Sequence, residues 1–136
     1  MSYLLDTNAV IGLLKDASSA LSRRTRLHNT ADVGISSVVL YELYFGAFRS
    51  RMQAHNLARL DALQFEVLPF DAEDARAAGL IRASLTATGT PIGLYDVLIA
   101  GQALARSLVL VTNNVKEFTR VNGLRIEDWS AAGETR

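Results

Sequence analysis

The feature that most restricts the fold is an alternation. Short apolar runs at Tyr3–Leu5, Val33–Ile35, Phe65–Leu68 and Leu108–Val111, with a last one near Leu124–Ile126, are separated by stretches of helical periodicity. Helices are expected over Asn8–Lys15, Ser18–Leu27, Ser36 or Ser37 to Phe48, Arg51–Leu63, Asp71–Thr88 and Tyr95 or Asp96 to Arg106, with a short turn or helix at Asn113–Phe118. In the last two of these helices, Ala75, Ala78, Ile81 and Leu85 form the apolar face of the first, and Val97, Ala100 and Leu104 that of the second. Strands that are apolar throughout belong to parallel sheets covered on both faces. The pattern therefore predicts an α/β fold, a three-layer α/β/α arrangement around a central, mainly parallel sheet of four or five short strands. Right-handed crossovers gather the strand-to-helix loops on one sheet edge, where ligands bind. Asp6 follows the first strand, and Asn113 and Asn114 follow Leu108–Val111. Asp96 opens a helix, so a loop must fold back to bring it to that edge.

A chain of 136 residues suits one domain, expected over 1–136 with a frayed tail at Ser130–Arg136. Fourteen basic and fourteen acidic residues give zero net charge, which argues against a protein that coats nucleic acid by charge alone. The absence of cysteine removes disulfides, zinc–thiolate sites and thiol nucleophiles. No apolar run approaches the roughly 20 residues of a spanning helix, so no membrane partner is expected. Met1–Leu14 has no basic residue and carries Asp6, unlike a secretory leader. A cytoplasmic location is the expectation.

The informative question is where charge is missing. Met1–Leu14, Val33–Phe48 and Ala83–Ala105 together hold 53 residues and only three charges: Asp6, Glu42 and Asp96. All three are acidic, and an ionised carboxylate in apolar surroundings is costly unless paired or bound to a cation. Each also has a plain alternative. Asp6 and Asp96 suit helix N-caps. Glu42 shares a helical face with Val38, Phe45 and Gly46 and would otherwise sit exposed at the end of the stripe or on a buried partner.

If the three converge, they repel: two unit charges about 4 Å apart cost roughly 4 kcal/mol at an effective dielectric near 20. A cation would relieve this. With His28 and His55 outside the three windows, the donors are all oxygens, which suits Mg2+ or Mn2+ and metal-assisted phosphodiester hydrolysis. Two other classes share the pattern. An aspartate-nucleophile phosphatase would use Asp6, but such enzymes resemble Asp-x-Asp here and position 8 is Asn8. A receiver-like phospho-acceptor would need paired early acids, with Lys116 as its lysine. A non-catalytic α/β interaction module would need none of these acids.

Four blocks carry a resemblance. They are Leu4-Leu5-Asp6-Thr7-Asn8, Ile35-Ser36-Ser37-Val38-Val39-Leu40-Tyr41-Glu42-Leu43, Pro91-Ile92-Gly93-Leu94-Tyr95-Asp96-Val97-Leu98-Ile99-Ala100 and Leu110-Val111-Thr112-Asn113-Asn114-Val115-Lys116-Glu117-Phe118. The ending Val121–Trp129 is similar to the same family's closing strand. In this order and spacing the chain resembles the PIN-domain ribonucleases, and specifically the VapC toxins of bacterial toxin–antitoxin pairs. The resemblance implies a PIN-like fold and a catalytic, metal-holding set of Asp6, Glu42 and Asp96, the acids that charge scarcity had singled out. Many PIN domains carry an aspartate after the late strand. Here Asn113 and Asn114 stand there, so Asn114 is expected as polar support and Glu117 as an outer acid, against the alternative of a solvated helix-end charge. Thr7 and Ser37 are expected to support the carboxylates or to cap helices.

The resemblance further implies an endoribonuclease cutting structured RNA, often a transfer RNA, in a single-stranded loop. It implies a VapB-type antitoxin whose C-terminal segment covers the acidic pocket, and a homodimer within a toxin–antitoxin hetero-oligomer. Arg23, Arg24, Arg26, Arg49 and Arg51 are candidates for holding the RNA backbone, or ordinary solvated charges. Tyr41, Tyr44, Phe45 and Phe48, in the helix pair around Leu40–Leu63, offer aromatic surface for protein contacts or for the core.

Overall fold

The computed structural model of the chain describes residues 1–130, so the expected tail lies, apart from Ser130, outside the described residues. Strands β1 (Tyr3–Leu5), β2 (Val33–Ser36), β3 (Glu66–Leu68), β4 (Val109–Val111) and β5 (Ile126–Glu127) form one parallel sheet in the order β3-β2-β1-β4-β5. Helices α1 (Thr7–Lys15) and α2 (Ala20–Arg26) connect β1 to β2. Helices α3 (Ser37–Arg49) and α4 (Gln53–Asp61) lead to β3, and α5 (Ala72–Ala87) and α6 (Leu94–Ala105) lead back to β4. The short α7 (Val115–Phe118) precedes β5, which begins two residues later than expected.

The chain steps outward from β1 to β2 to β3 and then returns past β1 to β4. With right-handed crossovers, that reversal carries the connections from one face of the sheet to the other. It also leaves a crevice at the C-terminal ends of β1 and β4, the place where open parallel sheets bind ligands. Leu5 pairs with Val111, and the next amide, Asp6 N, donates to Val111 O at 3.1 Å. Asp6 therefore stands at the switch point itself.

The middle strands are as buried as an apolar run requires: Leu4, Leu5, Val33, Ile35, Leu110 and Val111 are all in the core. β3 departs from that expectation, with Glu66 and Val67 exposed, because an edge strand has a sheet neighbour on one side only.

The inward face of α5 also differs from the one periodicity predicts. Ala78, Ile81 and Leu85 are buried, but Asp74 is buried in place of Ala75. Asp71 caps α5 and forms a capping box with Asp74, while Arg106 Nη2 donates to Asp74 Oδ2 at 2.9 Å and Gln102 Nε2 at 3.2 Å. These bonds make burial of a carboxylate tolerable and leave Ala75 outside. On α6, Val97, Ile99, Ala100, Gly101, Gln102 and Ala103 are buried, and Leu104 is only partly so. A helix buried around most of its circumference has no single stripe for periodicity to find. Gly101 sits where α6 crosses α5, and a Cβ there would lie 2.6 Å from Ala78 N.

Candidate active site

Asp6 is both a cap and a buried charge. As the N-cap of α1 it accepts from Ala9 N at 2.8 Å, and it is only 3% exposed. The capping role explains the local turn but not the burial, since a cap works as well in water. Burial pushes the Asp6 carboxyl up, the Thr112 side chain and Ala9 amide pull it back, and the charges of Glu42 and Asp128 push it up again. The net shift is upward.

Glu42 comes from the second turn of α3, whose N-cap is Ser36 through Val38 N at 3.0 Å. Its partner is Thr7, whose Oγ1 donates to Glu42 Oε1 at 2.6 Å. This bond ties the first turn of α1 to α3 and places Thr7 in the supporting role expected of it. Ser37 does not share that role: its Oγ accepts from Phe70 N at 3.1 Å and holds the end of β3 instead. Phe45, expected as an apolar neighbour of Glu42, is exposed.

Asp96 lies in the first turn of α6, and Gly93 rather than Asp96 is the N-cap. The capping alternative is therefore not realised. Burial, a hydrogen bond with Glu117, and the charges of Glu117, Asp6 and Glu42 push the Asp96 carboxyl up to about 7. Glu117 goes the other way. Burial alone would raise it, but the hydrogen bond with Asp96, the Gly93 amide, the Asn114 amide and the Arg120 charge hold it below the usual glutamate range. Gly93 N donates to Glu117 Oε1 at 2.9 Å, and Asn114 Nδ2 to Glu117 Oε2 at 2.7 Å. Of this pair, Asp96 is thus pushed toward its protonated form and Glu117 toward its anion.

Acids from β1, α3, α6 and α7 accordingly meet at one sheet edge and shift one another's protonation. Their oxygens are not yet a cage: among the described residues no three His, Cys, Asp or Glu side chains form a group ready to hold a metal ion. Each carboxylate leans instead on a neutral or protonated partner, Glu42 on Thr7, Asp6 on Ala9 and Thr112, Glu117 on Asn114 and Gly93. The chemistry of the set fits a hard cation, since all donors are oxygens and the neighbouring acids add to burial in raising Asp96. Drawing Glu42 and Asp96 onto one ion requires side-chain rotation, which half-buried groups permit.

Three contributors escaped sequence reasoning. Thr112 bonds Asp6, Asp128 adds charge near it, and Gly93 is a cradle where a Cβ would sit 3.0 Å from Asp96 Oδ2. All three lie inside segments that carry the resemblance, Asp128 in the ending Val121–Trp129, but none of them stood alone in an apolar window as Asp6, Glu42 and Asp96 did. The arginines are mostly engaged locally. Arg23 donates to Ser18 O and Arg26 to Ala17 O, bracing the loop before α2. Arg24 stands 3.7 Å from Glu127 and over the Trp129 ring, and Arg49 stands over Phe45. His28 stacks on Trp129.

Beside Glu42, between α1, α3 and α4, runs a groove of about 350 Å3 lined by Ile11, Leu14, Leu43 and Leu60 and by the cations Lys15 and Arg59. Among the described residues, no helix is long and apolar enough to cross a membrane.

The PIN domain family matches residues 3–124. The tRNA(fMet)-specific endonuclease VapC of Shigella flexneri is 44% identical over 132 residues, spanning 96% of this chain and 99% of the relative. Ribonuclease VapC2 of Rickettsia felis is 37% identical, spanning 95% and 98%. Among solved structures, DNA-bound VapBC from Salmonella typhimurium aligns with a TM-score of 0.90 at 44% identity, over 95% of this chain and 98% of that one.

Proposed function

The chain belongs to the PIN-domain family, and from that premise we propose that it is the ribonuclease toxin of a VapBC toxin–antitoxin pair, an endonuclease that hydrolyses phosphodiester bonds of a transfer RNA with the help of Mg2+ or Mn2+. What supports the catalytic assignment above all is the meeting of Asp6, Glu42 and Asp96 from separate segments, close enough for Asp6 and Glu42 to help raise Asp96 to about 7. The matched family region covers residues 3–124 of the single domain, and we place its action in the cytoplasm, where its substrate is.

Asp6, Glu42 and Asp96 would hold the cation, which when bound supplies positive charge for the phosphate and acidifies water. Thr7 orients Glu42 through its short hydrogen bond, and Thr112 and Ala9 N orient Asp6. Asn114 and Gly93 N fix Glu117, which in turn receives the Asp96 hydrogen bond. Glu117 is then the outer acid, an anion that holds the Asp96 proton through their hydrogen bond, and when Asp96 ionises that proton leaves to solvent. Water attacks phosphorus in line, the P–O3′ bond breaks, and the products are a 5′-phosphate and a 3′-hydroxyl.

The groove beside Glu42 suits an amphipathic segment of a VapB-type antitoxin, with apolar walls for its side chains and Lys15 and Arg59 for its acids. The exposed stripe of Phe45, Phe48 and Met52 on and just after α3 suits a further protein contact, in the homodimer or with the antitoxin.

Asp6→Asn tests the assignment. It keeps the cap oxygen and the fold but removes a central charge, so RNA cleavage should disappear while circular dichroism is unchanged. Full activity in that variant would end the nuclease assignment. A phosphate trapped covalently on Asp6 with a general phosphatase substrate would favour the aspartate-nucleophile alternative.

A further inference from the structure

Two exposed tyrosines border the acids, and the hydrolytic step uses neither. Tyr41 immediately precedes Glu42 on α3, and Tyr95 immediately precedes Asp96 on α6. The two helices bring the rings together, with centroids 5.6 Å apart and planes tilted by 52°. The Tyr95 hydroxyl donates to the Tyr41 hydroxyl at 3.4 Å. Even so, Tyr41 is 55% and Tyr95 42% exposed. Ring surface left in water gains nothing from folding, since burial is what stabilises apolar area.

Position and chemistry separate this pair from the rest of the exposed aromatic surface. Farther along α3 the exposed rings are Phe45, with Arg49 over it, and Phe48, and the exposed Met52 follows just past the helix. Among the exposed rings of the described residues, Tyr41 and Tyr95 are the two that add a hydroxyl to a π face. They carry no charge that would compete with a cation at the carboxylates. A phosphate seated at Asp6, Glu42 and Asp96 brings its flanking nucleotides to this border, and an unpaired base has a π face to offer while a paired one has both faces stacked in its helix.

Resting on the nuclease assignment above, we propose that the Tyr41–Tyr95 pair is a base-stacking platform of the active site, which takes an unpaired nucleobase of the RNA next to the scissile phosphate. The pair thereby selects single-stranded over helical RNA and tolerates different bases, because every base can stack.

The test uses the full chain carrying Asp6→Asn, which binds RNA without cutting it, and a short single-stranded RNA labelled with fluorescein. Adding Tyr41→Ala and Tyr95→Ala together should weaken binding about tenfold or more, whereas Tyr41→Phe with Tyr95→Phe should stay within about twofold of the parent. Tyr41→Leu with Tyr95→Leu keeps apolar bulk without a ring and should behave like the alanine pair, which covers the case in which alanine unfolds the protein. An RNA with abasic sites at its centre should bind the parent more weakly than intact RNA does, and the alanine pair should not distinguish the two. In the otherwise wild-type chain, the alanine pair should raise KM for cleavage and leave kcat within about twofold.

Equal affinity of the parent and the ring-less variants for intact RNA would overturn the proposal. So would loss of self-association or antitoxin binding in those variants with RNA affinity unchanged, because the rings would then serve a protein contact. Failure of the wild-type chain to cut any RNA would count against the nuclease assignment alone, since the binding comparison is read on a chain that does not cut.

Discussion

Two regions of this molecule bury carboxylates, and they do it in opposite ways. At the α5–α6 crossing, Asp74 is 1% exposed and faces a guanidinium. Burial alone would raise it, but the hydrogen bond and charge of Arg106, with the Asp71 amide, hold it below the ordinary aspartate value of 3.8. At the sheet edge, Asp6 and Asp96 are raised, by burial first and by other acids next, and neither forms an ion pair among the described residues. The first region is a completed ion pair. The second is a set of acids that raise one another at Asp6 and Asp96, with the Arg120 charge acting on Glu117. A fold can thus carry local destabilisation where a ligand is expected, provided other regions compensate.

The largest expected effect is on the completed pair. Arg106→Ala leaves Asp74 buried without its cation and should cost about 3 kcal/mol in denaturant unfolding, with little change in cleavage by the protein that remains folded. A loss below about 1 kcal/mol would mean that Gln102 and the capping box suffice to hold the charge.

Next comes the outer acid. Glu117→Gln removes the charge facing Asp96 and should lower kcat/KM for RNA about tenfold, the scale of partners that orient a metal ligand. Unchanged activity would make Glu117 an ordinary helix-end charge.

The smallest effect, and the one that reads the contrast most directly, is on stability against pH. Asp96 has a folded value of about 7 against an ordinary 3.8, so folding favours its protonated form. The associated stability is complete below about pH 4 and is lost as pH rises through about 7. Asp74 has the opposite sign: its contribution is present above pH 3.8 and disappears as pH falls through its lower folded value. Asp96→Asn keeps a donor for Glu117 and removes the charge. In chelator it should therefore be more stable than wild type at pH 8, by on the order of 1 kcal/mol, and indistinguishable near pH 4. Adding Mg2+ at pH 8 should narrow the gap by stabilising the wild type. A variant less stable than wild type at both pH values would show that Asp96 is not held against its own charge.

Much of this could be read from the chain alone, for identifiable reasons. β1, β2 and β4 carry no charge because they are covered on both faces, and that leaves an unambiguous pattern. Asp6, Glu42 and Asp96 stood out because they were the only charges in three long apolar windows, and the fold brings all three to one edge. Ala75 was misplaced because helical spacing counts apolar residues, and the inward position was taken by an aspartate whose partner lies 32 residues on. Ser37 and Thr7 are the same kind of side chain after the same kind of strand, yet one holds Phe70 and the other Glu42. Local sequence does not distinguish them.

The amino-acid order by itself determined the strand–helix alternation, the parallel sheet it requires and the three acids that are costly anywhere but beside a cation, because periodicity and desolvation act on each segment separately. The tertiary structure alone decided that Asp96 faces Glu117, that Gly93 leaves room for both and that Tyr41 meets Tyr95. Those outcomes depend on how helices from distant parts of the chain cross at a sheet edge, and hydrogen bonds and Coulomb terms change over a few ångströms that no spacing along the chain encodes.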